Sequence, residues 1–248
     1  MKILLCIDDT DNLDSIGTGE VLQNLCEELD KEGLGKGGFV SRHQLFVHED
    51  IPYTSHNSSM CCQVELESGK FTVLLELCRE YMAGNCAEGS DPGLCIVLHE
   101  TIEASEKEEL ITYGQAAKVK IFTKEEAYAL AAKYPTKVFL SEHGGTGQGI
   151  IGALAGCGLR LYGNDGRMKG KIYPQEPKSV QKVGEFCAKH NLICAMTLDG
   201  QLIDGNDTLI PGEEVKAVIL NHQPTIILSP DKEPGMWRPA DKKQLKKY

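Results

Sequence analysis

The 248 residues carry 41% apolar, 25% charged and only 6% aromatic side chains, the balance of an ordinary globular protein with apolar surface for one large or two smaller cores. No apolar run approaches the roughly 18 residues of a membrane span, and the N-terminus places one lysine and five apolar residues ahead of an acid cluster, unlike a signal peptide. A cytoplasmic protein without membrane contact is expected, and the formal net charge of −10 opposes spontaneous binding to a polyanion.

The first element is the apolar run Lys2 to Ile7, short enough for a buried strand, which ends in Asp8-Asp9-Thr10-Asp11-Asn12. In open α/β sheets ligands gather beyond the carboxyl ends of strands, so Asp8, Asp9 and Asp11 are expected beside a crevice. Clustered carboxylates repel and need a cation or basic partners, and hard oxygen donors of this kind suit magnesium held together with phosphate oxygens. The same residues also suit an acidic turn with a helix cap. Thr18 to Leu29 follows as an amphipathic helix, with Val21, Leu22, Leu25, Cys26 and Leu29 at helical spacing, Thr18 as candidate N-cap facing the crevice, and Gly33 to Gly38 ending the element. A helix start beside an acidic loop is a place for phosphate.

Phe39 to Val47 reads as a strand, 51 to 59 as a polar loop, Met60 to Glu67 as a strand, Phe71 to Met82 as a helix and Gly93 to Leu98 as a strand. Glu106 to Ala117 is helical, Val119 to Phe122 a brief strand, and Thr123-Lys124-Glu125-Glu126 opens a helix through Lys133 with a capping-box signature. This βαβ-like alternation predicts a small α+β subdomain over 60–135. The second concentrated signal is Ser141-Glu142-His143-Gly144-Gly145-Thr146-Gly147-Gln148-Gly149, leading into a helix of small residues. Its glycines suit either a backbone cradle for phosphate or a connection to a tightly packed helix. It has neither the lysine of a Walker A loop nor the spacing of a dinucleotide fingerprint. Beyond Gly170 the pattern turns to short strands, a helix over Val180 to His190, and two hairpin-like turns at Leu198 to Gln201 and Ile203 to Asn206. Lys242, Lys243, Lys246 and Lys247 read as a solvated basic tail.

Several chemistries are poorly supported. Leu13 stands where a haloacid-dehalogenase motif needs threonine, no His-x-x-x-His pair marks a zinc hydrolase, and no G-x-S-x-G elbow is present. The ten cysteines, at 6, 26, 61, 62, 78, 86, 95, 157, 187 and 194, include no C-x-x-C pair, so they read as reduced core thiols and no zinc ribbon is expected.

Cys6-Ile7-Asp8-Asp9-Thr10-Asp11, Thr18 eight residues beyond Thr10, Ile51-Pro52-Tyr53-Thr54, Asp91-Pro92-Gly93 and Gly147-Gln148-Gly149-Ile150-Ile151-Gly152-Ala153-Leu154-Ala155 together resemble the catalytic half of the archaeal agmatidine synthetase family, in the same order. That family joins agmatine to C2 of the wobble cytidine of an isoleucine tRNA, using ATP to phosphorylate the C2 oxygen. The resemblance implies an α/β (α+β) protein, a kinase-like nucleotide domain (1–59 with 136–248) and a ferredoxin-like subdomain (60–135). It implies Asp8, Asp9 and Asp11 as catalytic residues holding magnesium and nucleotide, and Thr18 as the match of a threonine the family autophosphorylates. ATP would further contact Thr10, Gly144, Gly145, Gly147, Gln148 and Gly149.

Gln148 replaces the arginine of the family's Gly-Arg-Gly, and His56-Asn57-Ser58-Ser59 replaces its Arg-Gly-Asn-Gly loop, each with loss of a cation. The chain stops before the oligonucleotide-binding fold and zinc ribbon of the family's full enzymes, which implies either a small-molecule acceptor or tRNA reached through a partner chain. The expected function is an ATP- and magnesium-dependent phosphotransferase or ligase. The alternative is a noncatalytic nucleotide- or polyamine-sensing module.

Overall fold

The computed structural model describes residues 1–51, 57–233 and 235–248. It divides into two compact units, Met1–Tyr162 and Gly163–Tyr248. Pro52, Tyr53 and Thr54 of the family-like motif, and His56, lie outside the described residues.

The first unit opens with β1 (Lys2–Asp8), α1 (Thr18–Lys31), β2 (Gly35–Gln44), β3 (Ser58–Leu66), α2 (Phe71–Asn85) and β4 (Gly93–Val97). It continues with α3 (Ala104–Ala116), α4 (Lys124–Ala131), β5 (Val138–Glu142) and α5 (Gly149–Tyr162). Its sheet runs β5-β4-β1-β3-β2, with every neighbouring pair antiparallel. The βαββαβ order from β1 to β4, with spatial order β4-β1-β3-β2, is the ferredoxin-like arrangement. That arrangement therefore spans residues 2–97 and includes the aspartate-bearing strand. Boundaries at 60 and 135 differ from this division for a simple reason: β3 and β4 supply the hydrogen-bonding partners on both sides of β1.

β1 reads as an unbroken apolar run because helices cover both faces of it. Ile3, Leu5 and Ile7 point into a core shared with Val21, Leu22, Leu25 and Leu29 of α1 and Leu74, Cys78 and Met82 of α2. Full burial of one such leucine contributes about 2 kcal/mol. Leu4 and Cys6 point the other way, into a core with Leu110 of α3 and Ala153, Leu154 and Cys157 of α5. α5 is buried almost all round, and its glycines let backbones meet: a Cβ at Gly158 would lie 2.0 Å from the Leu110 carbonyl oxygen of α3.

Some local expectations gave way to tertiary packing. Gly35 and Gly37 belong to β2 instead of ending α1, because a Cβ there would strike the Glu65 carbonyl oxygen at 2.5 Å or Cys26 Cβ at 2.7 Å. Residues 119–122 form no strand, since the chain leaves α3 through turns, while β5 completes the sheet edge just before the Gly-rich loop. The Thr123 capping box is present as expected, with the Thr123 side chain accepting from the Glu126 amide.

The second unit contains β6 (Arg167–Met168), β7 (Gln181–Lys182), α6 (Val183–Lys189), β8 (Cys194–Thr197), β9 (Thr208–Leu209), β10 (Ala217–Leu220), β11 (Gln223–Pro230) and β12 (Met236–Pro239). β10 and β11 form a hairpin whose turn residues Asn221 and His222 both have positive φ, 48° and 65°, as a tight turn between twisted strands requires. The expected turn at 203–206 joins no hairpin, because β9 pairs with β7 and β12. The C-terminal lysines are exposed, as expected, but the segment that carries them is docked. Gln244–Lys247 closes a short 3-10 turn that buries Leu245 and Tyr248 against Val218 and Ile227. Among the described residues of both units, no helix is long and apolar enough to cross a membrane.

Candidate functional site

The site lies within the first unit, where β1 runs out. Its last residue, Asp8, stays in register with Gly93 of β4, and the chain then turns sharply at Asp9, whose φ of 53° lies in the left-handed region that aspartate tolerates better than most side chains. The Ala87 amide donates to the Thr10 carbonyl at 2.9 Å, which anchors the turn. Downstream, the Asn12 amide donates to Ser15 Oγ at 2.9 Å and the Asp14 amide to Asn12 Oδ1 at 3.0 Å, folding the loop back toward α1.

α1 begins at Thr18, as expected, but Thr18 is not its cap. Gly17 occupies that position with extended backbone and no side-chain bond. The Thr18 hydroxyl is committed elsewhere: Oγ1 donates to Asp11 Oδ1 at 2.6 Å and accepts from the Thr10 amide at 3.4 Å. Only 6% of Thr18 is exposed, so this hydroxyl is held in one orientation at the wall of a cleft.

Asp8, Asp9, Asp11 and Thr18 line that cleft together with Gln148, Gly149 and Gly152 of the loop and helix opposite. Gly152 is needed there, since a Cβ would sit 1.7 Å from Asp8 Oδ2. Burial pushes the Asp8 carboxyl up to about 8, and the neighbouring charges of Asp9 and then Asp11 add to the effect. Asp9 is pushed up to about 6, again by burial first and then by the charges of Asp91 and Asp11. Carboxyls raised in this way by burial and by neighbouring charge make the cluster a candidate cation site or acid-base group.

Three cleft-side residues escaped the sequence reading. Lys120 is the one basic side chain lining the cleft among the described residues; it pairs with Glu126 at 2.9 Å and lies over the Phe122 ring. Nothing in its local sequence marks it, because it reaches the cleft through the turn after α3. Asp50 adds a fourth carboxylate to the lining. Asp91 acts on Asp9 from just before β4, and its place in Asp91-Pro92-Gly93 was the available signal.

The Gly-rich loop divides. Gln148 and Gly149 reach the cleft, whereas Gly144, Gly145 and Gly147 are not among its lining residues. A Cβ at Gly145, where φ is 55°, would lie 1.8 Å from Asp91 Oδ1, and one at Gly147 would lie 1.9 Å from Glu142 Oε2. Glu142 is itself held by Lys124 Nζ at 2.8 Å and the Tyr128 hydroxyl at 2.7 Å. The first amides of α5 have acceptors inside the chain: Gly149 donates to the Asp91 carbonyl at 2.9 Å and Ile151 to the Gln148 carbonyl at 3.0 Å. Thr10 is 1% exposed, and its hydroxyl has no partner among the described residues.

No protein-family model matches the chain, and no curated protein does. Solved structures do. One is a complex of TiaS with an isoleucine tRNA and ATP, at 25% identity and TM-score 0.54, covering 64% of this chain and 36% of that one. Another is apo TiaS, a tRNA agmatidine synthetase, at 21% identity and TM-score 0.54, covering 78% and 44%. A third is a tRNA fluorescent labeling enzyme, at 23% identity and TM-score 0.53, covering 78% and 45%. The chain spans less than half the length of these proteins. Its mixed α/β fold is similar to that of tRNA agmatidine synthetase, the same family that its motifs resemble.

Proposed function

We propose that the cleft of the first unit binds ATP with magnesium and transfers the terminal phosphoryl group, first to Thr18 and then to an acceptor oxygen, with a tRNA nucleotide as the acceptor class. The observation that carries this reading is the Thr18 hydroxyl held at 2.6 Å by Asp11 in the cleft that Asp8 and Asp9 also line. The similarity to a protein whose solved complex contains tRNA and ATP supports the choice of ligands. A reducing cytoplasmic setting suits ten cysteines that form no disulfide.

The donor set fits magnesium: hard carboxylate oxygens, close enough to raise one another's pKa, with Lys120 the one lysine in the lining among the described residues. Asp8 and Asp9, with Asp11 beside them, would hold the ion, which when bound offsets their repulsion and neutralises phosphate charge. The chain's own residues then have distinct tasks. Asp11 orients the Thr18 hydroxyl and takes its proton as Oγ1 bonds to the γ-phosphorus and the bond to the β,γ-bridging oxygen breaks, releasing ADP. Lys120 pairs with phosphate oxygens and the Gln148 amide donates to them, in a step dominated by positioning and charge stabilisation.

Incubation with magnesium and γ-labelled ATP, followed by mass spectrometry, should place label on Thr18. Asp9→Ala should reduce that label roughly 100-fold or more. Undiminished labelling in Asp9→Ala, or label confined to other residues, would sink the reading. Four carboxylates facing one lysine also favour a cationic ligand, so the second reading is a noncatalytic polyamine-binding module. Saturable polyamine binding with no label and no ATP turnover would select it.

A further inference from the structure

Three thiols from three separate elements meet beneath α5, on the opposite side of the sheet from α1 and α2. Cys6 of β1 stands directly across from Cys61 of β3 in the antiparallel register, and Cys157 descends from α5. Their Sγ atoms all lie within 4.8 Å of one another, and all three residues are fully buried. Thiolates around a tetrahedral zinc ion, at about 2.3 Å from the metal, stand roughly 3.8 Å apart, so a contraction of about 1 Å at most separates this cluster from a ligand set.

Two independent features point into the same place. Ser59 is fully buried, yet among the described residues its hydroxyl has no hydrogen-bond partner. A Cβ at Gly156 would lie 2.4 Å from both Ser59 Oγ and Cys6 Sγ, so hydroxyl and thiol flank one notch in the helix. Arg160, one turn along from Cys157, is 5% exposed, its Nε has no partner among the described residues, and its guanidinium lies 5.0 Å from the Phe39 ring centroid. Among the described residues it pairs with no carboxylate; the anionic-capable groups near enough to act on it are the Cys61 and Cys62 thiols.

A guanidinium does not deprotonate in a protein, and burying it without a counter-charge costs several kcal/mol. Three neutral thiols leave that cost standing. Three thiolates on one divalent cation carry a net charge of minus one and cancel it.

We propose that Cys6, Cys61 and Cys157 bind one thiophilic divalent cation, zinc, with the Ser59 hydroxyl facing the fourth position and Arg160 as the counter-charge. The weak bond from the Cys157 thiol to the Cys95 carbonyl, 3.7 Å long, is exchanged for ligation, and three thiol protons leave as the ion binds. Such a closed site ties the strand that delivers Asp8 to the helix that delivers Gly152. Because the ligands stand at 6, 61 and 157, no local spacing announces it. The ion enters during folding, since the thiols have no route to solvent in the folded unit.

The test uses the full chain, purified reduced and washed with chelator, then analysed for metal by mass spectrometry. In parallel, the chain is refolded with cobalt(II). Expected are about one zinc per chain and, with cobalt, a thiolate-to-metal charge-transfer band in the near ultraviolet. The band should vanish in Cys157→Ala and persist in Cys78→Ala, a buried thiol on the other face of the sheet. It should persist in Asp9→Asn too, which separates this site from oxygen ligation in the cleft and makes its failure distinct from failure of the proposed phosphotransfer. Arg160→Gln should weaken metal retention roughly 10-fold. Should Cys157→Ala fail to fold by circular dichroism, the near-isosteric Cys157→Ser is read instead. Absence of both zinc and the charge-transfer band in the wild-type chain overturns the proposal, as does a band that survives loss of Cys157. A Cys6–Cys61 disulfide formed under mild oxidation of the zinc-treated chain would also overturn it, because ligated thiolates resist that oxidation.

Discussion

The two loops that face each other across the end of β1 handle charge in opposite ways. In the 8–18 loop, Asp8 and Asp9 are pushed up to about 8 and about 6 by burial and by one another's neighbours, and the turn passes through a left-handed aspartate. In the 142–149 loop, Glu142 is bound by Lys124 and Tyr128, Asp91 receives the Thr146 hydroxyl at 2.6 Å, and the α5 amides have internal acceptors. In the first loop two carboxyls are held above their ordinary range, whereas beside the second the Glu142 and Asp91 carboxylates have hydrogen-bond donors. Functional sites are where such imbalance is tolerated. Under the proposed function this difference would put the chemistry on the aspartate loop and leave the Gly-rich loop chiefly a scaffold, from which Gln148 and Gly149 line the cleft.

The severest way to break this arrangement is to wedge the loops apart. Gly93 lies between them: a Cβ would sit 2.1 Å from the Gly149 carbon and the Ile150 nitrogen, backbone atoms that cannot swing aside. Gly93→Ala should cost about 3 kcal/mol or more, read as a lower midpoint in urea unfolding, and should abolish Thr18 labelling. An unchanged midpoint would mean the α5 start yields freely and the scaffold role is mistaken.

Asp8→Asn tests the imbalance itself, and its expected sign is opposite. A carboxyl whose folded pKa is raised binds more protons folded than unfolded, so its stabilising contribution is present below the ordinary carboxylate range and is lost as pH rises toward about 8. With chelator present, the wild type should lose stability across that window, and Asp8→Asn should flatten the loss, gaining on the order of 1–3 kcal/mol at its upper end. Saturating magnesium should restore the wild type but not the variant, since only a native state that binds the ion is stabilised by it. Thermal melts at several pH values, with and without magnesium, measure all four cases; a variant that melts lower than wild type in chelator would refute the crowding.

Much of this contrast was legible in the residues. The apolar run into Asp8, the α1 periodicity from Thr18, and the capping box at Thr123 each depend on neighbours a few positions away, and each appears where expected. What stayed hidden depends on distant partners. Gly35 and Gly37 looked like a helix terminator, yet they serve β2 because Glu65 and Cys26 press against them. Thr18 looked like a cap, yet Asp11 claims its hydroxyl. Lys120 reaches the cleft only because the turn after α3 carries it there, and the thiols at 6, 61 and 157 meet only because β1, β3 and α5 pack together. The ferredoxin-like arrangement was sought in 60–135, but it needs β1 as its central strand.

The smallest expected effect comes from Asp91, which lies just before β4, is bound by Thr146 of the 142–149 loop and acts on Asp9 of the aspartate loop. Asp91 raises Asp9 across the cleft end while its own carboxylate is taken up by Thr146. Asp91→Asn keeps the shape and an acceptor oxygen for Thr146 but removes the charge, so overall stability should change by no more than about 1 kcal/mol. Asp9 should then titrate lower than about 6, yet still above the ordinary carboxylate range, because burial is the larger cause and remains. The pH window over which ionisation of Asp9 progressively removes stability then narrows from its upper side, and the loss that persists above it shrinks. Carbon-13 NMR of the aspartate carboxyls in chelator reads this directly. An Asp9 titration unmoved by Asp91→Asn would show that the two loops are electrostatically independent, and that the acid cluster draws its imbalance from burial and from Asp8 and Asp11 alone.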